Sequence, residues 1–186
     1  SHVPLTNDRV KYTDPHTKAY LLLQAHFSRI ALAGDLALDQ KAVLNDAIRL
    51  IQAMVDVISS SGWLKPALAA MEVSQMVVQG TWDNTPNLMQ LPHMTKEIAA
   101  RCAEKGVETV FDLMDLDDEA RNGLLQLSEA RLAQVASVCN RYPNVNLEYE
   151  IVDADDVVAG EQVQAVVRLE RENEGGGGGV HAPYYP

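Results

Sequence analysis

The sequence predicts a mainly α-helical fold that changes to β-strands after residue 143. Helix start and stop signals recur as far as Tyr142, and the apolar residues between them follow a spacing of three and four. From Asn146 onward the spacing switches to alternation, which is typical of strands. With 186 residues, the chain is long enough for a helical bundle followed by a small β region.

Two amphipathic helices are predicted first. Asp14 followed by Pro15 indicates a helix start, and the apolar pattern of this helix fades near Gly34. Asp39 is expected to cap a second, longer helix that stops at residues 59–62. Its apolar band is wide enough to predict burial on more than one side. One stripe is Val43, Ala47, Leu50, Met54 and Val57, and beside it lie Leu44, Ile51, Val55 and Ile58.

Residues 62–82 are predicted to form one long helix between Trp63 and Trp82. Lys65 and Glu72 are its only charged residues before the second tryptophan. Because a surface helix normally carries a polar face, we expect this one to be a central helix wrapped by others.

Four short helices and two strands are predicted next. Thr95 should cap a helix that ends at Gly106, and Asp117 and Ser128 should cap later ones. The later helices are expected at about 108–115, 117–126 and 128–141, and the strands at 146–151 and 162–169, joined across Gly160. Two strands do not make a stable sheet alone, so we expect a truncated β-domain. The glycines at 175–179 predict a flexible loop or linker.

The charge distribution argues against extensive nucleic-acid contact. The net charge is −11; residues 103–122 hold seven acids against Lys105 and Arg121, and residues 145–186 hold nine against Arg168 and Arg171. No segment has the basic surplus that phosphate neutralisation needs. No run of 18 apolar residues predicts a membrane span.

Motifs of catalysis are absent, so no catalytic residue, cofactor or metal site is expected in this chain. Cys102 and Cys139 should be buried free thiols, and His26 and His93 should be structural. An acidic cluster at helix starts lacks the spacing of a calcium loop. It is expected to be a solvated face, and a partner-binding patch is the alternative. Its members are Asp112, Asp115, Asp117, Asp118 and Glu119.

Several blocks resemble one known family. Residues 21–29, 48–54 and 62–79 are similar to the helical bundle of the Sec-sixty-three homology unit, and 90–94, 106–114 and 139–145 continue the match in order. Residues 10–172 most resemble the unit that closes the C-terminal cassette of a spliceosomal RNA helicase, which separates paired U-four and U-six small nuclear RNAs. Beyond residue 175, only Ala182 and Pro183 match, in an expected strand.

The resemblance implies three parts. They are a helical bundle at 1–92, a helix-hairpin-helix-like module at 93–143, and the first strands of an incomplete immunoglobulin-like β-sandwich at 144–186. In active helicases of this kind, one bundle helix, called the ratchet, contacts the nucleic-acid strand. Residues 62–82 fall at the position of the ratchet.

The chain departs from the family's nucleic-acid-binding pattern. The ratchet-like helix offers one internal cation, and residues 141–144 lack the glycines of a phosphate-binding hairpin. We therefore expect a non-catalytic nuclear scaffold in pre-mRNA splicing, with the rest of the cassette and spliceosomal proteins as partners and with direct RNA contact weak or absent. The alternative is a nucleic-acid-guiding domain that uses Lys65, Arg101, Arg131 and Arg141.

Overall fold

A computed structural model describes residues 11–171 and 181–186. Within these ranges the chain forms seven α-helices and one two-stranded sheet, which confirms the mainly helical class. Contacts divide the chain into two compact units. The first unit comprises Ser1–Gln90 with His181–Pro186, and the second comprises Leu91–Val180. The division into three parts stays a prediction.

The first unit contains three long helices and a short 3₁₀ helix. They are α1 (Pro15–Phe27), α2 (Asp35–Ser60), α3 (Leu64–Gln79) and the 3₁₀ helix Asn87–Gln90. Asp14 caps α1 as predicted, because its carboxylate accepts a hydrogen bond from the backbone N–H of His16 at 3.1 Å. Gly62, at φ +71°, lies between α2 and α3 and allows the short reversal.

The core of the first unit lies where α1, α2 and α3 meet. Its buried centre is Leu44, Ala47, Ile51, Ala70 and Val77. The alanines among them let the helix backbones approach closely, and larger side chains such as Leu23 and Phe27 pack around the edge. Each fully buried leucine or valine contributes about 1.5–3 kcal/mol.

The predicted start of α2 is wrong. Asp39 lies inside the helix, and the N-cap position is Gly34, at φ 59° and ψ −139°, a conformation that only glycine adopts readily. The carboxylate of Asp39 instead pairs with the ammonium group of Lys18 on α1. Asp39 therefore forms an ion pair between two helices and does not cap the start of α2.

The predicted wrapping of α2 and α3 is also wrong for the described chain. Leu50, Met54 and Val57 of α2 are 60%, 53% and 67% exposed, and α3 is shorter than predicted, with Leu64 70% exposed. The three helices bury only the faces they turn toward one another. Each of α2 and α3 therefore keeps an apolar stripe that nothing in the described residues covers.

The second unit begins with four helices that start at predicted caps. They are α4 (Lys96–Ala103), α5 (Val110–Met114), α6 (Asp118–Leu125) and α7 (Glu129–Cys139). Thr95 and Asp117 accept the expected backbone hydrogen bonds, whereas Ser128 occupies the N-cap position of α7 without a side-chain cap. Its core includes Cys102, Val110, Leu113, Leu125 and Val135.

Two antiparallel strands follow, β1 (Val145–Ile151) and β2 (Ala165–Arg171). Leu147 pairs with Leu169, and Tyr149 pairs with Val167. Both strands are confirmed, although β2 starts three residues later than predicted. Six of seven residues of β2 and all of β1 are exposed, so the sheet has no buried face within the described chain.

Two predictions fall near the end of the chain. The predicted linker at 175–179 lies outside the described residues. The strand expected around Ala182 and Pro183 is wrong, because residues 181–186 form a turn with a hydrogen bond from Tyr185 N–H to Ala182 O at 3.1 Å. The two tyrosines of this segment instead pack within the first unit, Tyr184 against the guanidinium of Arg29 and Tyr185 with its hydroxyl donating to the carbonyl of Leu44.

Candidate functional site

Arg29 joins several backbone segments of the first unit. It lies just after α1 at φ 52°, and its Nε donates to the carbonyl of Gly80 at 2.9 Å. One terminal nitrogen donates to the carbonyl of Met89 at 3.0 Å, and the guanidinium lies 4.2 Å from the ring centre of Tyr184. The bond to Gly80 satisfies a carbonyl that the end of α3 leaves without a helical partner, and the bond to Met89 ties the 3₁₀ helix to the same side chain. Arg29 is therefore a structural cation, and no local sequence signal identified it.

His26 is the second structural group that joins the end of α1 to the end of α3; we call this region the junction. It is 5% exposed, and its Nε2 lies 2.7 Å from the carbonyl oxygen of Val77, so a neutral ring that carries the Nε2 proton donates to it. Burial lowers the pKa of His26, and the nearby charge of Arg29 lowers it further. The prediction of a structural His26 is confirmed. His93 contacts Gln134 within the second unit.

Trp82, one of the two aromatics that bracket the ratchet-like segment, is packed into this junction. Its ring meets Phe27 edge-to-face at 5.2 Å, and its Nε1 donates to Ser28 Oγ at 3.0 Å. Trp63 remains 60% exposed before α3. The segment therefore presents one accessible indole ring.

The outer face of α3 is apolar. Leu64, Leu68 and Met71 recur at one helical face and are 70%, 50% and 44% exposed. Lys65 is exposed beside them, and Glu72 is the only other charged residue of the helix. This face favours apolar contact over phosphate contact.

The acidic cluster separates into two groups with different roles. Asp112 and Asp117 serve as helix-capping carboxylates: Asp112 accepts from Thr109 N–H at 2.8 Å, and Asp117 accepts from Ala120 N–H at 2.8 Å. The hydrogen bond from the Thr109 backbone lowers the pKa of Asp112. Asp115, Asp118 and Glu119 are exposed, and so is Asp117 despite its capping hydrogen bond. These four carboxylates form the accessible part of the patch.

Arg121 stabilises the turn between α5 and α6. Its Nε donates to the carbonyl of Leu113 at 3.1 Å, and its Nη2 donates to the carbonyls of both Met114 and Leu116. It also pairs with Asp118 at 2.9 Å. The guanidinium of Arg121 therefore bonds to groups within the second unit. Like the role of Arg29, this structural role was not predicted from the sequence.

The four cations of the nucleic-acid alternative do not form one patch within either unit. Lys65 lies in the first unit, whereas the three arginines lie in the second. Arg101 is half-buried and donates to the carbonyls of Leu124 and Leu125 at 2.6 and 3.3 Å. Arg131 and Arg141 are exposed near opposite ends of α7, separated by a helical rise of about 15 Å.

Cys102 and Cys139 are free and buried, as predicted, and burial raises the pKa of each thiol. Among the described residues, no group of three or more His, Cys, Asp or Glu side chains is arranged to hold a metal ion. No helix in this part of the chain is long and apolar enough to cross a membrane.

The chain is similar to known proteins over its whole length. The family model described as the Sec63 Brl domain matches residues 1–186. The chain is 54% identical over 184 residues to the human U5 small nuclear ribonucleoprotein 200 kDa helicase, covering 99% of this chain and 9% of that protein. The Drosophila melanogaster protein of the same name is 56% identical over 176 residues, covering 95% of this chain and 8% of the relative.

A more distant relative is the pre-mRNA-splicing factor brr2 of Schizosaccharomyces pombe, at 42% identity over 189 residues, covering 100% of this chain and 9% of the relative. The chain therefore spans less than a tenth of the length of the relatives it matches.

Proposed function

Because this chain belongs to the Sec63 Brl domain family, we propose that it is a non-catalytic module of a spliceosomal ATP-dependent RNA helicase. It acts in the nucleus as a scaffold and protein-interaction platform in pre-mRNA splicing. The names of its relatives, a small nuclear ribonucleoprotein helicase and a splicing factor, support this setting. The parent unwinds the paired U-four and U-six small nuclear RNAs, and its ATPase motifs lie outside these residues.

The apolar outer face of α3 is the observation that carries the proposal. A helix that grips single-stranded RNA needs cations for phosphates and accessible aromatic rings for bases. The outer face of α3 instead offers leucine and methionine, with Lys65 as its one cation. Burial of each such leucine contributes about 1.5–3 kcal/mol, so these side chains suit protein packing. The rest of the helicase cassette is the partner proposed for this face and for the exposed stripe of α2.

The second unit supports the same role through its charge. We propose that residues 93–143 form the helix-hairpin-helix-like module and that residues from 144 onward begin the immunoglobulin-like β-sandwich. Asp115, Asp118 and Glu119 would repel a phosphate backbone at the module, and the exposed carboxylates instead suit basic protein partners. Arg101, the half-buried candidate RNA contact, already donates to the end of α6.

RNA binding tests this proposal against the nucleic-acid-guiding alternative, which the exposure of Lys65, Arg131 and Arg141 favours. Affinity for a single-stranded RNA oligonucleotide is measured across a salt series by fluorescence anisotropy. We expect affinity no tighter than about 100 μM, the weak end of non-specific binding, with a shallow salt slope. The matched control is a variant with Leu64→Arg, Leu68→Arg and Met71→Arg, which adds three cations to the outer face of α3.

The control variant should gain affinity and show a steeper salt slope, by about 0.7 for each phosphate it neutralises in single-stranded RNA. Steep, salt-sensitive binding by the unaltered chain, weakened by Lys65→Ala or Arg131→Ala, would establish the nucleic-acid-guiding role and overturn the scaffold role.

A further inference from the structure

A groove runs between α6 and α7 in the second unit, with the end of α5 at its floor. Its volume is about 380 Å³, within the range of about 300–1,000 Å³ that is typical of ligand sites. The floor includes Leu113, Leu125 and Val135, each at most 2% exposed. Above this floor, Ala133 and Ala136 of α7 leave space because their side chains are short.

The residues that α7 contributes follow helical spacing. Glu129, Leu132, Ala133 and Ala136 all line the groove and recur at intervals of three and four. α6 contributes one face in the same way, from Asp118 through Leu125. The lining residues of α7 run from Glu129 to Asn140, a span of about 16 Å at 1.5 Å per residue. A partner helix of about three turns, laid along this span, would place the apolar side chains of one face into the groove while its backbone stays outside.

The rim of the groove selects for a basic occupant. Glu129 and Asp118 line it, and the side chain of Asp118 is 91% exposed. Arg121 is the one cation in the lining, and its ion pair with Asp118 offsets one of the two acids, so the lining has a net charge of −1 from Asp118, Glu129 and Arg121. Exposed Asp115 and Glu119 add further negative charge near the start of α6. The rim therefore attracts cations, whereas the floor needs apolar side chains.

We propose that the α6–α7 groove binds a basic amphipathic helix of a partner protein, with two or three leucine-sized anchors on the floor and lysine or arginine residues along the acidic rim. This inference rests on the proposed platform role and names the chemistry of one partner. A second copy of this chain is a poorer match, since its net charge is −11. RNA would face the same repulsion at the rim.

A synthetic probe tests the groove. The probe is a peptide of about 12 residues, enough to span the groove as a helix, with leucines at helical spacing and lysines elsewhere. Its controls are a shuffled peptide of the same composition and a version with glutamate in place of lysine. Binding to the full 186-residue chain is measured by anisotropy. We expect the probe to bind at least about tenfold more tightly than either control, since anchors and charge both contribute.

Matched substitutions locate the binding. Ala133→Trp fills the groove, whereas Ala130→Trp places the same side chain on α7 outside the lining, and both alanines are exposed. We expect Ala133→Trp to weaken the probe at least about tenfold and Ala130→Trp to change it less than about twofold. Glu129→Lys should weaken binding more than Glu119→Lys, although both reverse an acid in the first turn of a helix. Circular dichroism checks that each variant keeps its helices.

Four results would overturn the proposal. Equal binding of the shuffled peptide would show only charge attraction, and equal effects of the two tryptophan substitutions would place the probe elsewhere. Displacement of the probe by an RNA oligonucleotide, or a dimer that Ala133→Trp dissociates, would assign the groove to RNA or to a second copy. Peptide binding is read separately from the RNA titration, so a failure of this inference can be distinguished from a failure of the platform role on which it rests.

Discussion

The close approach of Tyr184 to Gly80 makes a sharp prediction about stability. Gly80 ends α3 in the left-handed conformation, at φ 59° and ψ 50°. A Cβ placed there would lie 2.9 Å from the Cβ of Tyr184 and 3.4 Å from the His26 ring. Gly62 is the matched control, because it has φ +71° in the same unit and nothing lies within 4 Å of an added Cβ.

The two substitutions separate backbone strain from steric overlap. Gly62→Ala should destabilise the first unit by about 1–2 kcal/mol, the cost of a left-handed conformation for an L-residue. Gly80→Ala should cost the same plus about 1–3 kcal/mol for overpacking against Tyr184. We therefore expect Gly80→Ala to cost about 2–5 kcal/mol in the free energy of unfolding.

Urea unfolding followed by tryptophan fluorescence measures this difference. Trp63 and Trp82 are the only tryptophans of the chain, and both belong to the first unit, so the signal reports on that unit. A second substitution, Tyr184→Gly, removes the Cβ on the other side of the overlap. In the Gly80→Ala background it should cost less than it does alone, so the two losses of stability should be less than additive in a double-mutant cycle. Equal losses for Gly62→Ala and Gly80→Ala, with no coupling to Tyr184, would refute the packing of residues 181–186 against α3.

Two further predictions concern His26 and Arg121. The folded-state pKa of His26 lies below 6.5, its ordinary value. The stability that neutral His26 contributes is therefore fully present above pH 6.5. It is lost as the pH falls below this value, because the unfolded chain then binds more protons than the folded one. His26→Gln should flatten this pH dependence in urea unfolding, and an unchanged pH profile would contradict the burial argument. Arg121→Ala leaves the carbonyls of Leu113 and Met114 without their donor and should destabilise α5 and α6 by about 1.5–3 kcal/mol. Amide hydrogen exchange measures this locally, and the exposed control Arg131→Ala should change exchange by less than about 0.5 kcal/mol; equal effects would contradict the role of Arg121.

Local signals predicted most of the helices correctly. Asp14, Thr95 and Asp117 each accept the capping hydrogen bond that their position indicated. A capping interaction involves residues two or three apart, so the sequence contains all of it. Asp39 was assigned wrongly because its partner, Lys18, lies on another helix and no spacing rule connects them.

The tertiary interactions of the candidate sites could not be predicted in the same way. Arg29 donates to carbonyls about fifty and sixty positions away, at Gly80 and Met89. Arg121 was counted with the net charge, although its guanidinium is directed to the turn before α6. The exposed stripes of α2 and α3 were predicted to be buried because hydrophobicity indicates that a face needs a partner. It does not indicate whether the partner is within the same 186 residues.

The return of residues 181–186 to the first unit has a consequence for how the protein folds during its synthesis. α1, α2 and α3 leave the ribosome long before Tyr184 and Tyr185, which complete their packing beside Arg29 and Leu44. Until then the apolar core around Leu44 lacks one of its covers. The second unit is translated during that interval, so the bundle is completed only after the second unit has been made, although its helices are made first.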